Sequence, residues 1–252
     1  WAKLKNLNYR FIGAGSNLLI KTTFHKGLTI CTRKLKKLTI NNSLGVVKAE
    51  CGVMLPVISN LLAKNACKGG EWLIGIPGTV GGAIFMNAGT NKLWISNHLL
   101  EVKVLDTKNL SIHKLEKKDL FFEYRYSSFQ KNNLVLLSAN LKFIPNQNSK
   151  KIAELTKENL KQKTETQPYH LPSFGSVFKN PQSNYAAKLI EEVGLKGFSI
   201  GGAQVSTMHS NFIVNNSNAT SGEIYHLITV IQQKVLQKKG IFLHPEVRMI
   251  GY

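Results

Sequence analysis

Gly75-Ile76-Pro77-Gly78-Thr79-Val80-Gly81-Gly82-Ala83-Ile84-Phe85-Met86-Asn87-Ala88-Gly89 is the stretch on which the reading of this chain turns. Five glycines and a proline leave it almost without side chains. Glycine at this density lets the backbone take positive φ and press its N–H groups against a ligand, which suits a flat, phosphate-bearing cofactor better than a packed core. A surface loop is the plain alternative, but Ile74, Ile76, Val80, Ile84 and Phe85 mark the segment as partly buried. A buried glycine-rich backbone usually has something to approach. The expectation is a cofactor cradle.

A second element of this kind lies near the start, Phe11-Ile12-Gly13-Ala14-Gly15-Ser16-Asn17-Leu18-Leu19-Ile20, and reads as strand, tight turn, strand. Gly13-x-Gly15 lacks the third glycine and the following helix of a dinucleotide-binding fingerprint, so a Rossmann site is disfavoured. Two glycine-rich turns with small polar residues beside them, Ser16 and Asn17 in one and Thr79 and Asn87 in the other, can still converge on one pyrophosphate.

The 252 residues, 43% hydrophobic, suffice for two compact units at about 100 to 200 residues per domain. No apolar run reaches the length of a membrane span, and Trp1 begins no signal-like segment. Cys31, Cys51 and Cys67 have no metal-site or disulfide spacing, so no metal is expected and a reduced, cytoplasmic setting is. The net charge of +19, from 33 basic against 14 acidic residues, favours anionic partners. The lysines are scattered in short groups without interleaved aromatics, however, so nucleic acid is not expected as the main partner.

Leu44 to Val53, Leu99 to Leu105 and Leu134 to Phe143 read as strands, with a hairpin around Asp106 to Asn109. Leu55 to Ala66 has helical spacing, and Lys150 to Lys163 is a polar helix suited to connecting two units. After it come a helix from Tyr185 to Val193 closed by Gly194 and a longer one opened by the capping box Thr220-x-x-Glu223. The longer helix buries Ile224, Leu227, Ile228, Ile231 and Val235 and stops at Gly240. Strands and helices without strict alternation indicate an α+β protein.

Three polar constellations stand out. Tyr124-Arg125-Tyr126-Ser127 sets a guanidinium among aromatics, where it either clamps a carboxylate or covers an aromatic surface. Ser176, in Ser173-Phe174-Gly175-Ser176-Val177-Phe178-Lys179-Asn180-Pro181, is either a proton-relay hydroxyl in a dry pocket or a turn residue, and it is not a nucleophile elbow. Glu246, in His244-Pro245-Glu246-Val247-Arg248, has apolar neighbours that draw it from the surface, where an acid needs a partner or a raised pKa.

These stretches, with Gly202-Ala203-Gln204-Val205-Ser206 and His209-x-Asn211-Phe212, resemble in order and over essentially the whole chain the UDP-N-acetylenolpyruvoylglucosamine reductase family. The resemblance implies a flavoenzyme of bacterial peptidoglycan synthesis, with noncovalent FAD in a fold of the vanillyl-alcohol-oxidase type and NADPH as hydride donor. It implies an FAD-binding region at 1–165, a smaller C-terminal α/β substrate-binding domain at 166–243 and a strand at 244–252 returning to the first region. By resemblance Gly13, Gly15, Ser16, Asn17 and Leu18 match one flavin turn. Gly75, Pro77, Gly78, Thr79, Gly81, Gly82 and Asn87 match the other, with Arg248 close to the same cofactor. Arg125, Ser176 and Glu246 match the catalytic positions, and Tyr124, Lys179, Asn180, Gln204, Ser206, His209 and Asn211 match the substrate pocket.

Two departures accompany the resemblance. The chain opens where the family is already well into its first domain, so a strand and helix that help enclose the adenine end of FAD are expected to be absent. The interval from Arg125 to Ser176 is too short for the tyrosine-bearing loop of one subgroup, which assigns the chain to the loopless one. The partner is then a UDP-sugar enolpyruvyl ether and the expected state a monomer, with no membrane partner. A related flavin-dependent oxidase would share the cradle but not the Ser176 and Glu246 motifs. A noncatalytic UDP-sugar or nucleic-acid binding module would purify colourless.

Overall fold

The computed structural model describes residues 1–22, 26–90 and 93–252. It divides into two units, the first made of Trp1–Ala14 and Gly27–Lys161, the second of Gly15–Lys26 and Gln162–Tyr252.

Among the described residues, the first unit is built on an antiparallel sheet in the order Leu38–Asn41, Val46–Glu50, Leu134–Lys142, Leu99–Asp106, Ile112–Glu116. The two-residue period of Val46–Glu50 sends Val47 and Ala49 into the core and leaves Lys48 in water. Helix α1 (Leu55–Lys64) carries Pro56 in its first turn and buries Leu55, Ile58, Ser59 and Leu62, the stripe an amphipathic helix presents to a sheet. Ile58 and Leu62, both fully buried, each contribute about 1.5–3 kcal/mol by leaving water. A 3₁₀ turn at Glu71–Gly75 leads to α2 (Val80–Met86) and then to the short α3 (Ile95–His98). Strands Tyr9–Ile12 and Leu28–Cys31 pair in parallel, and Phe122–Glu123 forms a tight hairpin with Tyr126–Ser127.

The polar helix expected as a connector is α4 (Ser149–Thr166), which buries only Ile152 and Thr156, and the division between units falls within it. The second unit carries a four-stranded antiparallel sheet in the order Ser173–Ser176, Phe212–Asn215, Ala203–Val205, Ser199–Ile200. Helices α5 (Ala186–Glu192) and α6 (Ser221–Lys239) share its core. The ends of α6 are those its sequence announces. Thr220 Oγ1 accepts from the Glu223 N–H while the Glu223 carboxylate accepts from the Thr220 N–H, and Gly240 closes the helix at φ 67°. Leu227, Ile228, Ile231 and Val235 are buried as expected, whereas Ile224, in the first turn, remains only partly covered.

By contacts, the described residues between 15 and 26 and residues 244–252 fall in the second unit. The cause is strand pairing: Leu18–Ile20 runs parallel to Arg248–Ile250, with Leu18 opposite Arg248. Among the described residues no helix is long and apolar enough to cross a membrane.

Candidate active site

Within the first unit, Gly13 of the first glycine-rich turn meets Thr79 of the second. A Cβ placed on Gly13 would stand 2.6 Å from Thr79 Oγ1, so only glycine lets the first turn lie against the second. Gly15, at φ 78°, has open space where its side chain would be.

The second turn achieves its shape differently from the expectation. Gly75, Gly78, Gly81, Gly82 and Gly89 all keep φ outside the left-handed region, and Asn87, at φ 44°, is the residue that takes it. Residues 80–86 are helix rather than loop. Thr79 caps that helix, accepting at 3.3 Å from the Gly82 N–H. The N–H groups of Val80 and Gly81 donate to the carbonyls of Val53 and Cys51, both at 2.8 Å, and that of Gly78 to Ile76. These donors therefore hold the turn against its own sheet instead of reaching for a ligand. The glycines serve close approach: a Cβ on Gly81 would press on Cys51, and one on Gly89 would collide with Leu93 and Trp94. Burial also raises the Cys51 thiol above its ordinary pKa. The result is a strip of nearly bare backbone from Pro77 to Gly82 with Gly13 laid beside it, which fits the flat, extended group the sequence implies.

The far end of α2 holds Arg125. Arg125 occupies the tip of the Phe122–Ser127 hairpin at φ 55°, a left-handed conformation that an arginine keeps only when its surroundings fix it. Its Nη2 donates to the Gly89 carbonyl at 3.2 Å, and the guanidinium carbon lies 5.7 Å from the Trp94 ring centre and 5.2 Å from that of Tyr124. Asn87 Nδ2 donates to the Glu123 carbonyl at 2.8 Å, while Asn87 Oδ1 accepts from the Ser96 N–H. Asn87, expected among the cofactor ligands, ties the helix to the hairpin through these bonds.

In the second unit the backbone sets Ser176 beside Glu246. The N–H of Glu246 donates at 2.7 Å to the carbonyl of Val177, the residue after Ser176, and the Lys179 N–H donates to His244. Ser176 ends its strand opposite Phe212 and is half-buried, as is Glu246. The first turn is tied to the same segment: Asn17 Nδ2 donates to the Glu246 carbonyl at 3.2 Å, and the Arg248 N–H to Asn17 O at 3.0 Å. Ser16, Asn17, Leu18, Glu246 and Arg248 therefore share one neighbourhood.

The remaining polar residues of the expected substrate pocket divide by what their side chains already do. Asn211 is buried and devotes its amide to Phe178, donating to its carbonyl at 2.8 Å and accepting from its N–H at 3.0 Å. Ser206 Oγ is buried and accepts from the N–H groups of Met208 and His209, and Gln204 donates to Gly197 O. All three side chains bond to backbone groups. His209 Nδ1 accepts from the Asn211 N–H, and burial lowers its pKa. Asn180 is exposed, with its Oδ1 accepting from the Ala186 N–H at the start of α5; Lys179 is half-buried. Sequence reasoning missed Trp94 and Gln130, which contact Arg125 from outside the motifs. A tryptophan five residues past the glycine-rich stretch was the available signal for the first, and nothing marked the second.

Comparison with known proteins identifies both halves of the chain. Residues 1–115 match the family described as FAD binding domain, and residues 167–250 match UDP-N-acetylenolpyruvoylglucosamine reductase, C-terminal domain. A UDP-N-acetylenolpyruvoylglucosamine reductase of Prochlorococcus marinus subsp. pastoris is 64% identical over 252 residues, covering 100% of this chain and 85% of the relative. One from a Synechococcus strain is 44% identical, covering 100% and 82%. The crystal structure of UDP-N-acetylenolpyruvylglucosamine reductase from Thermus caldophilus matches with a TM-score of 0.83 at 29% identity, over 98% of this chain and 87% of that one. With an FAD-binding domain in its first unit, the α+β architecture expected and identity sustained from end to end, the chain belongs to the UDP-N-acetylenolpyruvoylglucosamine reductase family.

Proposed function

We propose that this chain reduces the enolpyruvyl ether of UDP-N-acetylglucosamine to UDP-N-acetylmuramate, with NADPH as reductant and FAD as the group between them. The residues that would hold FAD are Gly13, Gly15, Ser16, Asn17 and Leu18 in the first turn and Pro77, Gly78, Thr79, Gly81 and Gly82 in the second, with Arg248 beside the first. When bound there, FAD would supply hydride transfer between NADPH and the substrate.

The observation that carries the reading is the backbone tie between Glu246 and Val177, which joins the segment of Glu246 to the one that carries Ser176. Hydride arriving at the enol-ether methylene carbon leaves negative charge on the neighbouring carbon and its carboxylate. That charge needs fixed cationic or hydrogen-bonding groups, the role of Arg125 and of a protonated Glu246. Ser176 Oγ then gives the proton that completes saturation of the carbon–carbon bond. Lys179 is a further cation for the anionic substrate.

Several finer points belong to the same reading. The donor is NADPH, the chain acts as a monomer, and closure over the substrate uses residues other than a tyrosine loop. The setting is the cytoplasm, in keeping with three free cysteines, and the product serves wall growth and hence cell shape and division.

The test separates the two half-reactions of full-length, flavin-loaded protein. Ser176→Ala is expected to leave flavin reduction by NADPH intact and to slow reoxidation by the enolpyruvyl substrate by about 10²–10⁴-fold. Equal losses in both halves would remove Ser176 from the proton step.

A further inference from the structure

Gln130 lies outside every motif discussed so far, at the end of the 3₁₀ turn Ser128–Gln130 that follows the Arg125 hairpin. Its Nε2 is 2.9 Å from the Phe85 carbonyl and 3.3 Å from the Arg125 carbonyl, with Met86 Sδ at 3.9 Å. The first two are backbone acceptors, and a carboxamide nitrogen carries two protons, one for each. The Phe85 carbonyl also accepts from Ser127 Oγ at 2.7 Å, so the last turn of α2 is fastened to the second arm of the hairpin and to the turn that follows it. The same helix end receives the Arg125 guanidinium at Gly89 and the Asn87 tie to Glu123. Arg125 itself sits at φ 55°, where an L residue stays only if its neighbours over-determine it.

We propose that Gln130 is a positioning residue: by donating to Phe85 and Arg125 at once, it holds the backbone of Arg125 in its left-handed conformation and so fixes the direction of the guanidinium. The proposal rests on the reading of Arg125 as a catalytic residue. It adds that the requirement at position 130 is for hydrogen-bond donors alone, since both partners are carbonyls. Helix α2 then carries the flavin turn at its Thr79 end and the charge-stabilising cation at its Gly89 end, with Gln130 as the pin at the second.

The requirement for donors sets the experiment. Gln130→Met keeps length and volume without donors, Gln130→Glu keeps length and aims a carboxylate at two carbonyls, and Gln130→Lys keeps donors. In flavin-loaded full-length protein, Gln130→Met is expected to lower the rate of reoxidation by substrate about tenfold, in line with one to two lost hydrogen bonds, with flavin reduction by NADPH unchanged. Gln130→Glu is expected to lose at least as much, and Gln130→Lys to remain within about threefold of the parent. Amide hydrogen exchange over residues 122–127 is expected to accelerate in the Met and Glu variants and not in the Lys variant. Adding Gln130→Met to Arg125→Ala is expected to cost nothing further in reoxidation. A parent-like Gln130→Met, a Lys variant as poor as Met, or an undiminished loss in the Arg125→Ala background would each overturn the clamp. If Gln130→Met does not fold, the Lys and Glu variants decide alone, equal rates overturning the proposal. Full activity of Arg125→Ala would refute the reading of the site and this role with it, whereas an impaired Arg125→Ala beside a parent-like Gln130→Met refutes the clamp only.

Discussion

Gly13→Ala is the sharpest probe of the paired turns. Gly13 does not need positive φ, so alanine meets no backbone penalty there and the whole effect comes from one contact. The new Cβ would fall 2.6 Å from Thr79 Oγ1, while Thr79 Cβ and Cγ2, at 3.7 Å, are at ordinary distances. Relief requires a shift of several tenths of an ångström or rotation of a Thr79 side chain that is 1% exposed and caps α2. Overpacking of this kind costs about 1–3 kcal/mol, and loss of the cap adds about 1 kcal/mol where rotation is the route taken. Thr79→Ala removes the cap for about 1 kcal/mol and also removes the clashing oxygen. The double variant is therefore expected to be about 1–2 kcal/mol more stable than the sum of the single effects predicts. Denaturant unfolding of the four proteins measures the coupling, and titration with FAD, followed by loss of flavin fluorescence, shows weakened binding in Gly13→Ala and partial recovery in the double variant. Strictly additive stabilities would refute the argument, because the two turns would then not be in contact.

Asn211→Ala is expected to cost about 2–5 kcal/mol, since it strands both the N–H and the carbonyl of buried Phe178; a loss below about 1 kcal/mol in denaturant unfolding would return Asn211 to the list of ligand contacts. His98 lies between Trp72 and Phe143 with Nδ1 3.1 Å from the Lys142 carbonyl, and burial lowers its pKa; the carbonyl and Glu71 act in the opposite direction and Lys117 with burial. The folded chain then binds fewer protons than the unfolded one below about pH 6.5, so stability is lost as pH falls from there toward the lowered value, by at most about 1.4 kcal/mol per unit and less with solvent screening. His98→Phe preserves the ring stack and is expected to flatten that slope in unfolding curves at pH 7.0 to 5.0, whereas superimposable slopes would exclude His98 as a cause.

What could be read in the sequence was what local chemistry controls. The Thr220–Glu223 box and Gly240 delimit α6 because a cap needs only neighbours within one turn. The meeting of the two glycine-rich turns was legible because bare backbone is useful only where something comes close. The role of each amide was not. Asn87, Asn211 and Gln130 carry the same donors and acceptors whether they face a ligand or a carbonyl, and here all three bind backbone. Nor could the glycines of the second turn be given their dihedrals from composition: their small size, not positive φ, is what the packing against Cys51 and Trp94 uses. The allegiance of residues 15–26 depended on a strand partner at the opposite end of the chain, which no window of sequence contains.

That partnership bears on how the molecule is made. Leu18–Ile20 leaves the ribosome long before Arg248–Ile250, its only strand neighbour among the described residues. Throughout synthesis the early strand has Leu18 and Leu19 without their final cover and a row of backbone groups unclaimed. The first unit's sheet can close as soon as residue 142 has emerged, but the second unit cannot complete itself until residue 250 has emerged. A premature stop near residue 240 would thus release a polypeptide with one finished sheet and one sticky edge, a target for chaperones and proteases rather than a smaller working enzyme.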